Sequence, residues 1–379
     1  MNKDNNIIFV SYIQDPYTSG TSTQIMTKNL LSGIKGKYNK LSFVAIIDDN
    51  CDSKHVYDYY GKIVDEVIIV NSCLNNYKKK KYMQLFYNFL SAFSSKIYKK
   101  EAKGLQISEK DVVIAHAPSF ESLFLCNQLK KIYPKLWYIQ YWSDPYALSG
   151  ICPERINYKR KPFMLLESVL LSKCSDIVYG TKTLMDFQKR LYKKHAHKMR
   201  YVDVCYGEDD INKESESSEI VFGYSGNYYS SVRNIKPLVE AFKKISSAKL
   251  LICGSGDVQI QENENIKVLG RVPQSEVSRI EKDMDVLVCL LNHSCIQIPG
   301  KLFYNTNSNK KILVVLDGPH KEELKKYLEE FERFEFCENN KESIIEKITQ
   351  IVQSGAMHNH IISDRLMPQS VAADLIGDL

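Results

Sequence analysis

The sequence contains no long apolar run. In its opening stretch, MNKDNNIIFVSYIQDP, only four apolar residues occur together before polar residues return. A membrane-spanning helix needs about 20 consecutive apolar residues, and a secretory signal also needs a longer apolar core than this one. We therefore expect a cytoplasmic protein that is soluble, or at most peripheral on the inner face of the cytoplasmic membrane.

The ten cysteines form no CxxC pair and no tight cluster. Scattered thiols in a chain of this size indicate reduced, mostly buried cysteines in the cytosol and weigh against a structural zinc site. We expect the protein to need no metal and no other cofactor. The net charge of +6, from 51 basic and 45 acidic residues, permits anionic partners such as nucleotides or acidic lipids without selecting one.

Three signatures of nucleotide and nucleic-acid binding are also missing. The chain has neither the P-loop pattern GxxxxGK[ST] nor the complete dinucleotide fingerprint GxGxxG. It has no basic and aromatic RNA-binding motif, so we do not expect nucleic acid as a partner. A nucleotide site in this chain would have to be built in another way.

Short apolar runs alternate with amphipathic stretches, which is the pattern of βαβ units and parallel sheets. The first series of predicted strands comprises Ile7–Tyr12, Leu41–Ile47, Glu66–Val70, Val112–His116, Trp137–Tyr141, Asp176–Tyr179 and the weaker Tyr201–Cys205. The polar, acidic stretch 206–219 then reads as a linker. The second series comprises Ile220–Tyr224, Lys249–Cys253, Ile266–Leu269, Val286–Leu290, Ile312–Leu316 and the weaker Phe334–Phe336. Helices between and after these strands are predicted at Ile235–Ser246, Ser275–Lys282, Lys321–Phe331 and Lys341–Ser354.

This pattern predicts two doubly wound α/β domains, at 1–205 and 220–354. In such sheets ligands bind at the carboxyl ends of the strands. A cleft between the two domains is therefore the expected site.

Three turns in the second half follow predicted strands and carry candidate ligand-binding residues. Ser225-Gly226-Asn227 follows the first of these strands, and Arg233 precedes the next helix, where its guanidinium can bind a phosphate through two hydrogen bonds. An exposed arginine without a ligand is an equally good interpretation. Gly254-Ser255-Gly256 follows the next strand. Pro299-Gly300-Lys301 opens a short helix, where the helix dipole repels a lysine unless an anion such as a diphosphate is bound there as well.

Two further segments have a structural interpretation beside a functional one. Asp283-Met284-Asp285 matches a DxD pattern that can hold a divalent cation on a nucleotide sugar, but it precedes a strand, so a structural role is favoured. Aromatic residues at helical spacing in 75–104 predict a helix with its apolar face in the core. The neighbouring lysines face water in one interpretation and contact an anionic membrane in the other. They include Lys78, Lys79, Lys80 and Lys81.

Taken in order, these segments resemble the GT-B fold glycosyltransferases of the large, family 4-like group that builds bacterial polysaccharides. The resemblance spans nearly the whole chain. In the first half it rests on SYIQDPYTSGTSTQIMTKNLLSGI, DVVIAHAPSF, WYIQYWSDPY and CSDIVYGTKTLMDFQKRL. In the second half it rests on FGYSGNYYSSVRNIKPLVEAF, LLICGSG, VLGRVPQSEV and IQIPGKLFYN.

The resemblance implies two α/β domains of the GT-B type and transfer of a sugar from a nucleotide-sugar donor. The implied acceptor is a saccharide or a lipid-linked saccharide in the assembly of cell-surface polysaccharide, such as capsule or lipopolysaccharide. The resemblance also implies that the segment 355–379 crosses back onto the first domain.

The resemblance further implies roles for single residues. Arg233 and Lys301 would bind the donor diphosphate together with backbone amides at Pro299-Gly300. The backbone at Arg271-Val272 would bind the nucleobase. The other donor-side positions are Gly226, Asn227, Gly254, Gly256 and Tyr304. Ser19 and Gly20 lie in the glycine loop on the acceptor side.

Two residues at predicted strand ends are candidate general bases. His116 and Asp144 both fall at carboxyl ends, and an inverting transferase needs a base within reach of the acceptor hydroxyl. The alternatives are a structural histidine and an Asp-Pro turn. A retaining transferase would need neither side chain as a base.

The chain departs from the family pattern at three positions. Tyr304 and Ile296 stand where family members often carry acidic residues, and Asn227 stands where an arginine is common. Two other functions therefore stay open: a sugar-nucleotide epimerase with the same fold, and a non-catalytic scaffold module. The donor sugar, the nucleobase and the stereochemical outcome are not determined by the sequence.

Overall fold

The structure is a computed structural model of the chain. It describes residues 5–18, 21–74, 97–150, 158–207, 211–212, 219–355 and 363–377. The predicted acceptor-side residues Ser19 and Gly20 lie outside the described residues, and so do the basic residues Lys78–Lys81.

The chain divides into two compact units. The first consists of Met1–Ser149, Arg155–Cys205 and Arg365–Leu379, and the second consists of Gly150–Glu154 and Tyr206–Asp364. Each unit is discontinuous in sequence. Gly150–Glu154 lies between two segments of the first unit but belongs to the second, and Arg365–Leu379 follows the second unit but belongs to the first. None of the described helices is long and apolar enough to cross a membrane.

Each unit is built on a parallel sheet. The first sheet contains β1 (Asn6–Ile13), β2 (Lys40–Ile47), β3 (Glu66–Asn71), β4 (Val112–Ala117), β5 (Trp137–Trp142), β6 (Asp176–Tyr179) and β7 (Met199–Tyr201). The second contains β8 (Ile220–Ser225), β9 (Ala248–Cys253), β10 (Ile266–Gly270), β11 (Val286–Leu290), β12 (Lys311–Leu316) and β13 (Phe334–Glu338). The strand orders are β3-β2-β1-β4-β5-β6-β7 and β10-β9-β8-β11-β12-β13. In both sheets the order reverses beside the first strand of the unit, which is where a doubly wound sheet opens a ligand crevice.

Helices connect the strands of both sheets. They are α1 (Ser22–Ile34), α2 (Ser53–Tyr60), α3 (Lys99–Gly104), α4 (Phe120–Ile132), α5 (Lys161–Leu171), α6 (Lys182–Leu191), α7 (Lys236–Phe242), α8 (Gln274–Lys282), α9 (Lys301–Tyr304), α10 (Lys321–Glu329), α11 (Lys341–Ser354) and α12 (Pro368–Ile376). Short 3-10 turns occur at Tyr158–Arg160, Lys193–Lys198 and Asp364–Leu366.

Burial follows the position of each strand in its sheet. All six residues of the interior strand β12 are buried, and Ile7, Phe9 and Val10 in the interior strand β1 are fully buried. Helices on both faces of a parallel sheet explain why such strands appear as continuous apolar runs. The edge strands β3 and β10 are only partly covered.

The predicted fold class is confirmed, because both units are parallel α/β sheets with helices between the strands. Two boundaries differ from the prediction by more than two residues. The seventh strand pairs through Met199–Tyr201 rather than Tyr201–Cys205, since the apolar residues after Tyr201 are buried without continuing the ladder. Helix α7 ends at Phe242 rather than Ser246, because the amide of Lys244 bonds to Ala241 O in a tighter turn.

The last helix of the chain packs on the first. A Cβ built at Gly33 in α1 would lie 2.0 Å from Pro368 O and 3.1 Å from the Cβ of Ala372 in α12. The guanidinium of Arg200 donates a hydrogen bond of 2.6 Å to Leu375 O and another to Asp374 O, which satisfies carbonyls at the end of α12. Helix α12 is therefore part of the core of the first unit.

Replacing Gly33 by alanine should lower the free energy of unfolding by about 1–3 kcal/mol, because the added methyl group forces α1 and α12 apart. Urea or thermal unfolding measures the change. Gly104→Ala is the matched control, since Gly104 also ends a helix but a Cβ there meets nothing within 4 Å. Equal stability of the Gly33→Ala variant and the wild type would contradict this packing.

Candidate functional site

The candidate donor-side residues lie on loops at one edge of the second sheet. Because parallel strands end at the same edge, the loops after β8, β9 and β11 are neighbours there. Gly226, Asn227 and Arg233 follow β8, and Gly254 and Gly256 follow β9. Pro299, Gly300 and Lys301 come from the segment after β11, at the start of α9.

The glycines of the first two loops allow the loops to pack directly on each other. The amide of Gly226 donates to Cys253 O at 2.8 Å, and the amide of Tyr228 donates to Ser255 O at 3.1 Å. A Cβ at Gly254 would lie 1.9 Å from Gly226 O, and one at Gly256 would lie 1.7 Å from Tyr228 O. These two glycines therefore have a packing requirement of their own, independent of any ligand.

Arg233 is held by side chains from other elements. Its Nε donates to Asn292 Oδ1 at 2.8 Å, and the amide group of Asn292 donates to Gln297 O at 2.7 Å. Burial raises the pKa of Tyr224 to about 12, and the nearby positive charge of Arg233 opposes this rise. Arg233 is thus a half-buried cation whose orientation is fixed by the first residues after β11.

Lys301 lies beside a buried carboxylate. Its Nζ is 3.4 Å from Glu281 Oε1, and the other oxygen of Glu281 accepts a hydrogen bond of 3.3 Å from Asn305. The side chain of Glu281 is 7% exposed and that of Lys301 is 36% exposed. The carboxylate therefore holds the lysine from the protein side and leaves part of the ammonium group accessible.

Both cations act on the same buried thiol. Burial raises the pKa of Cys289 in β11 to about 11, and the charges of Arg233 and Lys301 both oppose that rise. Lys301 also opposes the rise that burial causes in the pKa of Cys253 at the end of β9. Arg233 and Lys301 therefore converge on the carboxyl ends of neighbouring strands.

The helix that carries Lys301 is short, as the sequence predicts. It is a single turn, and the amides of Leu302, Phe303 and Tyr304 already donate to carbonyls of Pro299 and Gly300 at 3.0–3.2 Å. These three amides cannot also bind a phosphate, and one turn supplies little of a helix dipole. The local partner that stabilises Lys301 in the structure is Glu281.

Tyr304 and Ile296, which stand where the resemblance leads us to expect acidic residues, are inside the protein. Tyr304 is 6% exposed and Ile296 is 5% exposed. Arg271 and Val272 lie in the turn between β10 and α8, the first exposed and the second half-buried. The polar surface of this site thus comes from Arg233, Lys301 and their partners.

The DxD segment has a structural contact. Asp285 accepts a hydrogen bond of 2.8 Å from the amide of Val221, and its own amide donates to Val221 O at 2.7 Å. These bonds join the amino ends of β11 and β8, away from the carboxyl edge. Within the part of the chain that the structure describes, no three His, Cys, Asp or Glu side chains come together as metal ligands.

In the first unit, His116 is enclosed in the sheet. Its Nδ1 lies 2.9 Å from Thr27 Oγ1, and its ring packs against Phe9 and Tyr141. The residue is 1% exposed, and burial lowers its pKa to about 3. This environment favours a structural role for His116 over a role as general base. Asp144 lies two residues after β5 and is half-buried.

Sequence reasoning did not identify Asn292 and Glu281, although both have a signal. Asn292 is a polar residue immediately after the buried strand β11, and it is 5% exposed. Glu281 falls on the same helical face as the buried Val277 and Ile280 in α8. A buried amide and a buried glutamate at such positions call for partners, and here the partners are Arg233 and Lys301.

A second unpredicted group lies at the carboxyl edge of the first sheet. Asp15, after β1, accepts hydrogen bonds from the amides of Tyr17, Thr18 and Asp52 at 3.0–3.3 Å. Its Oδ2 is 2.7 Å from His55 Nδ1 in α2. The hydrogen bond to Asp15 raises the pKa of His55. Burial opposes ionisation of Asp15, but the bonds from His55 and the amides outweigh it and lower the pKa of Asp15.

No known protein-family model matches this sequence, and no curated protein matches it at the sequence level. Solved structures match along almost the full length, so the similarity lies in the fold. All three described next are about one-tenth identical to this chain in sequence.

The apo lipopolysaccharide outer core galactosyltransferase WaaB matches with a TM-score of 0.54 at 10% identity, over 98% of this chain and 99% of WaaB. Anabaena Alr3699/HepE in complex with UDP matches with a TM-score of 0.57 at 10% identity, over 98% and 94%. A UDP-N-acetylglucosamine 2-epimerase matches with a TM-score of 0.53 at 11% identity, over 97% and 91%. The chain therefore has the two-domain GT-B fold that these three solved structures share.

The Asp15–His55 pair predicts a pH-dependent contribution to stability. Because the folded-state pKa of His55 is raised, this contribution is complete below about pH 6.5 and is lost as the pH rises through the raised value. The lowered pKa of Asp15 has the opposite sign, so its contribution is present above about pH 4 and is lost in acid. The difference in melting temperature between wild type and His55→Gln should therefore be largest near about pH 5.5 and shrink towards about pH 8.5.

His197→Gln is the control for this measurement, because His197 is an exposed histidine of the same unit. Its difference from the wild type should not follow the same curve. A His55→Gln difference that grows with rising pH would refute the assignment of the pair.

Proposed function

We propose that the chain is a glycosyltransferase that moves a sugar from a nucleotide-sugar donor to a saccharide or lipid-linked acceptor. The observation that carries this proposal is the position of two cations at the carboxyl edge of the second sheet: Arg233 follows β8 and is held by Asn292, and Lys301 follows β11. Two cations on the ligand-binding edge of a nucleotide-binding type of sheet suit a diphosphate better than they suit a neutral ligand.

The chemistry of sugar transfer explains why two fixed cations would be needed. When the bond from the sugar to the diphosphate breaks, negative charge grows on the leaving oxygen. Cations already in position stabilise this charge without rearranging first. Arg233 is held by Asn292, and Lys301 is held by Glu281, so neither has to be ordered at that moment.

Structures with the same fold support a uridine nucleotide as the donor carrier. HepE has been solved with UDP and with UDP-glucose, and WaaB is a galactosyltransferase of the lipopolysaccharide outer core. By analogy of fold, we infer a UDP-sugar donor and an acceptor of the bacterial cell-surface polysaccharide class. Attachment to an anionic membrane surface through Lys78–Lys81 is part of the proposal and concerns residues outside the described part.

An epimerase is the second candidate function, because UDP-N-acetylglucosamine 2-epimerase shares the fold over 97% of this chain. The two reactions differ in their products. A transferase releases the nucleoside diphosphate. An epimerase inverts one centre of the sugar, and its final product is still a nucleotide sugar. Chromatography of nucleotide products after incubation with UDP-sugars therefore separates the two functions.

Nucleotide binding tests the proposed site. Calorimetric titration with UDP, GDP and ADP should show micromolar to millimolar binding of at least one of them. Arg233→Ala and Lys301→Ala should each weaken this binding by about tenfold or more, because each removes a charge-assisted contact to the diphosphate.

Lys236→Ala and Lys243→Ala, each made singly, are the controls, since both lysines are exposed on the same unit and each loss changes the net charge by as much as a site variant does. Binding in each control should match that of the wild type. Failure of the wild type to bind any nucleotide would overturn the proposed function, and unchanged binding in both site variants would place the diphosphate elsewhere.

A further inference from the structure

A histidine and an aspartate join the group of residues around Arg233. His293 Nδ1 lies 2.9 Å from Asp317 Oδ1, and the amide of His293 donates to Val232 O at 2.7 Å. His293 directly follows Asn292, which accepts the hydrogen bond from Arg233. His293 is therefore the next residue in the chain after Asn292, which orients Arg233.

Asp317 is itself firmly fixed after β12. Its Oδ1 also accepts a hydrogen bond of 2.7 Å from the amide of Gly318, and its Oδ2 accepts one of 2.6 Å from Asn339. The same Asn339 amide group lies 3.0 Å from the carbonyl of Asn234, next to Arg233. Gly318 allows the loop to close, because a Cβ there would lie 2.8 Å from His293 O.

This arrangement determines which nitrogen of His293 can meet a ligand. The carboxylate of Asp317 engages Nδ1, and the histidine side chain is 50% exposed whereas that of Asp317 is 16% exposed. Nε2 is therefore the nitrogen directed away from the carboxylate. A carboxylate at Nδ1 fixes the ring, and when both ring nitrogens carry a proton Nε2 is a charged hydrogen-bond donor.

Three buried polar atoms at the same edge lack a hydrogen-bond partner among the described residues. The hydroxyls of Ser225, at the end of β8, and Ser294, next to His293, have no hydrogen-bond partner among the described residues. The same is true of Asn339 Oδ1. Buried polar groups without a protein partner are uncommon, and a ligand or ordered water is a usual explanation.

We propose that His293, held by Asp317, is a third cationic contact of the donor diphosphate beside Arg233 and Lys301. This inference rests on the proposed function, since it names a residue of the same donor site. In the imidazolium form, Nε2–H donates to a phosphate oxygen, as a guanidinium or ammonium does. The neutral imidazole lacks the charge, so donor affinity becomes dependent on pH.

The sign of this dependence follows from linkage. A ligand that binds the protonated form more tightly raises its affinity as the pH falls through the titration of the imidazole. Asp317 contacts the imidazole directly, Arg233 contacts the neighbouring Asn292, and Lys321 lies near Asp317.

The test uses UDP-glucose, because both phosphates of this molecule are esterified and keep their charge, whereas the terminal phosphate of UDP titrates near about pH 6. Calorimetric titration between about pH 5.5 and pH 8 should show wild-type affinity falling by about tenfold as the pH rises. His293→Gln should bind about tenfold more weakly at the acid end and show no such fall. His293→Lys, which keeps a cation, should bind within about threefold of the acid wild type at every pH.

Asp317→Asn and His320→Gln complete the design. Asp317→Asn should weaken UDP-glucose binding, because the imidazole loses the carboxylate that holds its ring in position. His320→Gln removes the imidazole three residues after Asp317 and should leave the curve unchanged. Circular dichroism confirms that each variant is folded.

The outcomes separate this inference from the proposed function. If the wild type binds neither UDP-glucose nor its GDP and ADP counterparts, the proposed function fails. If the wild type binds but its affinity does not depend on pH, or if His293→Gln keeps the same dependence, the assignment of His293 is wrong while the donor site stands.

Discussion

The parallel pairing of the strands is the constraint on which the rest of the molecule depends. Because every strand in a parallel sheet runs the same way, all the chain segments that leave the carboxyl ends emerge at one edge. In the second unit this brings together residues that are far apart in sequence, such as Arg233 and Asn292. The candidate donor site is thus a consequence of topology, and the helices serve mainly to return the chain to the opposite edge.

Much of this could be predicted from the sequence, because strand position and strand hydrophobicity are linked. Buried strands such as β12 appear as uninterrupted apolar runs, and their order gives the fold class. Arg233 and Lys301 could also be identified, since each lies beside a glycine- or proline-containing turn after a strand. His116 shows the limit, because its place at the end of a predicted strand does not tell whether the side chain faces solvent. In the structure β4 extends to Ala117, and His116 is 1% exposed.

The partners of the charged residues could not be predicted, because nothing local in the sequence specifies a contact across the sheet. Glu281 lies 20 residues before Lys301, and Asp317 lies 24 residues after His293. Each pair joins segments that follow or precede different strands. The buried carboxylate of Glu281 stabilises the position of Lys301 when no ligand is present. The sequence alone suggests that a bound diphosphate is needed for this. A lysine at the start of α9 is therefore tolerated because Glu281 offsets its charge, even without a bound anion.

The packing of α12 on α1 also sets an order of events during synthesis. The helix that completes the first unit is made after the whole of the second unit, because Arg365–Leu379 belongs to the first unit. Until then, Gly33 in α1 lacks the contact with Pro368 and Ala372 that it makes in the finished protein. Domains made first usually fold first. In this chain the first unit reaches its final core only when the last helix arrives, so the second unit can fold ahead of it.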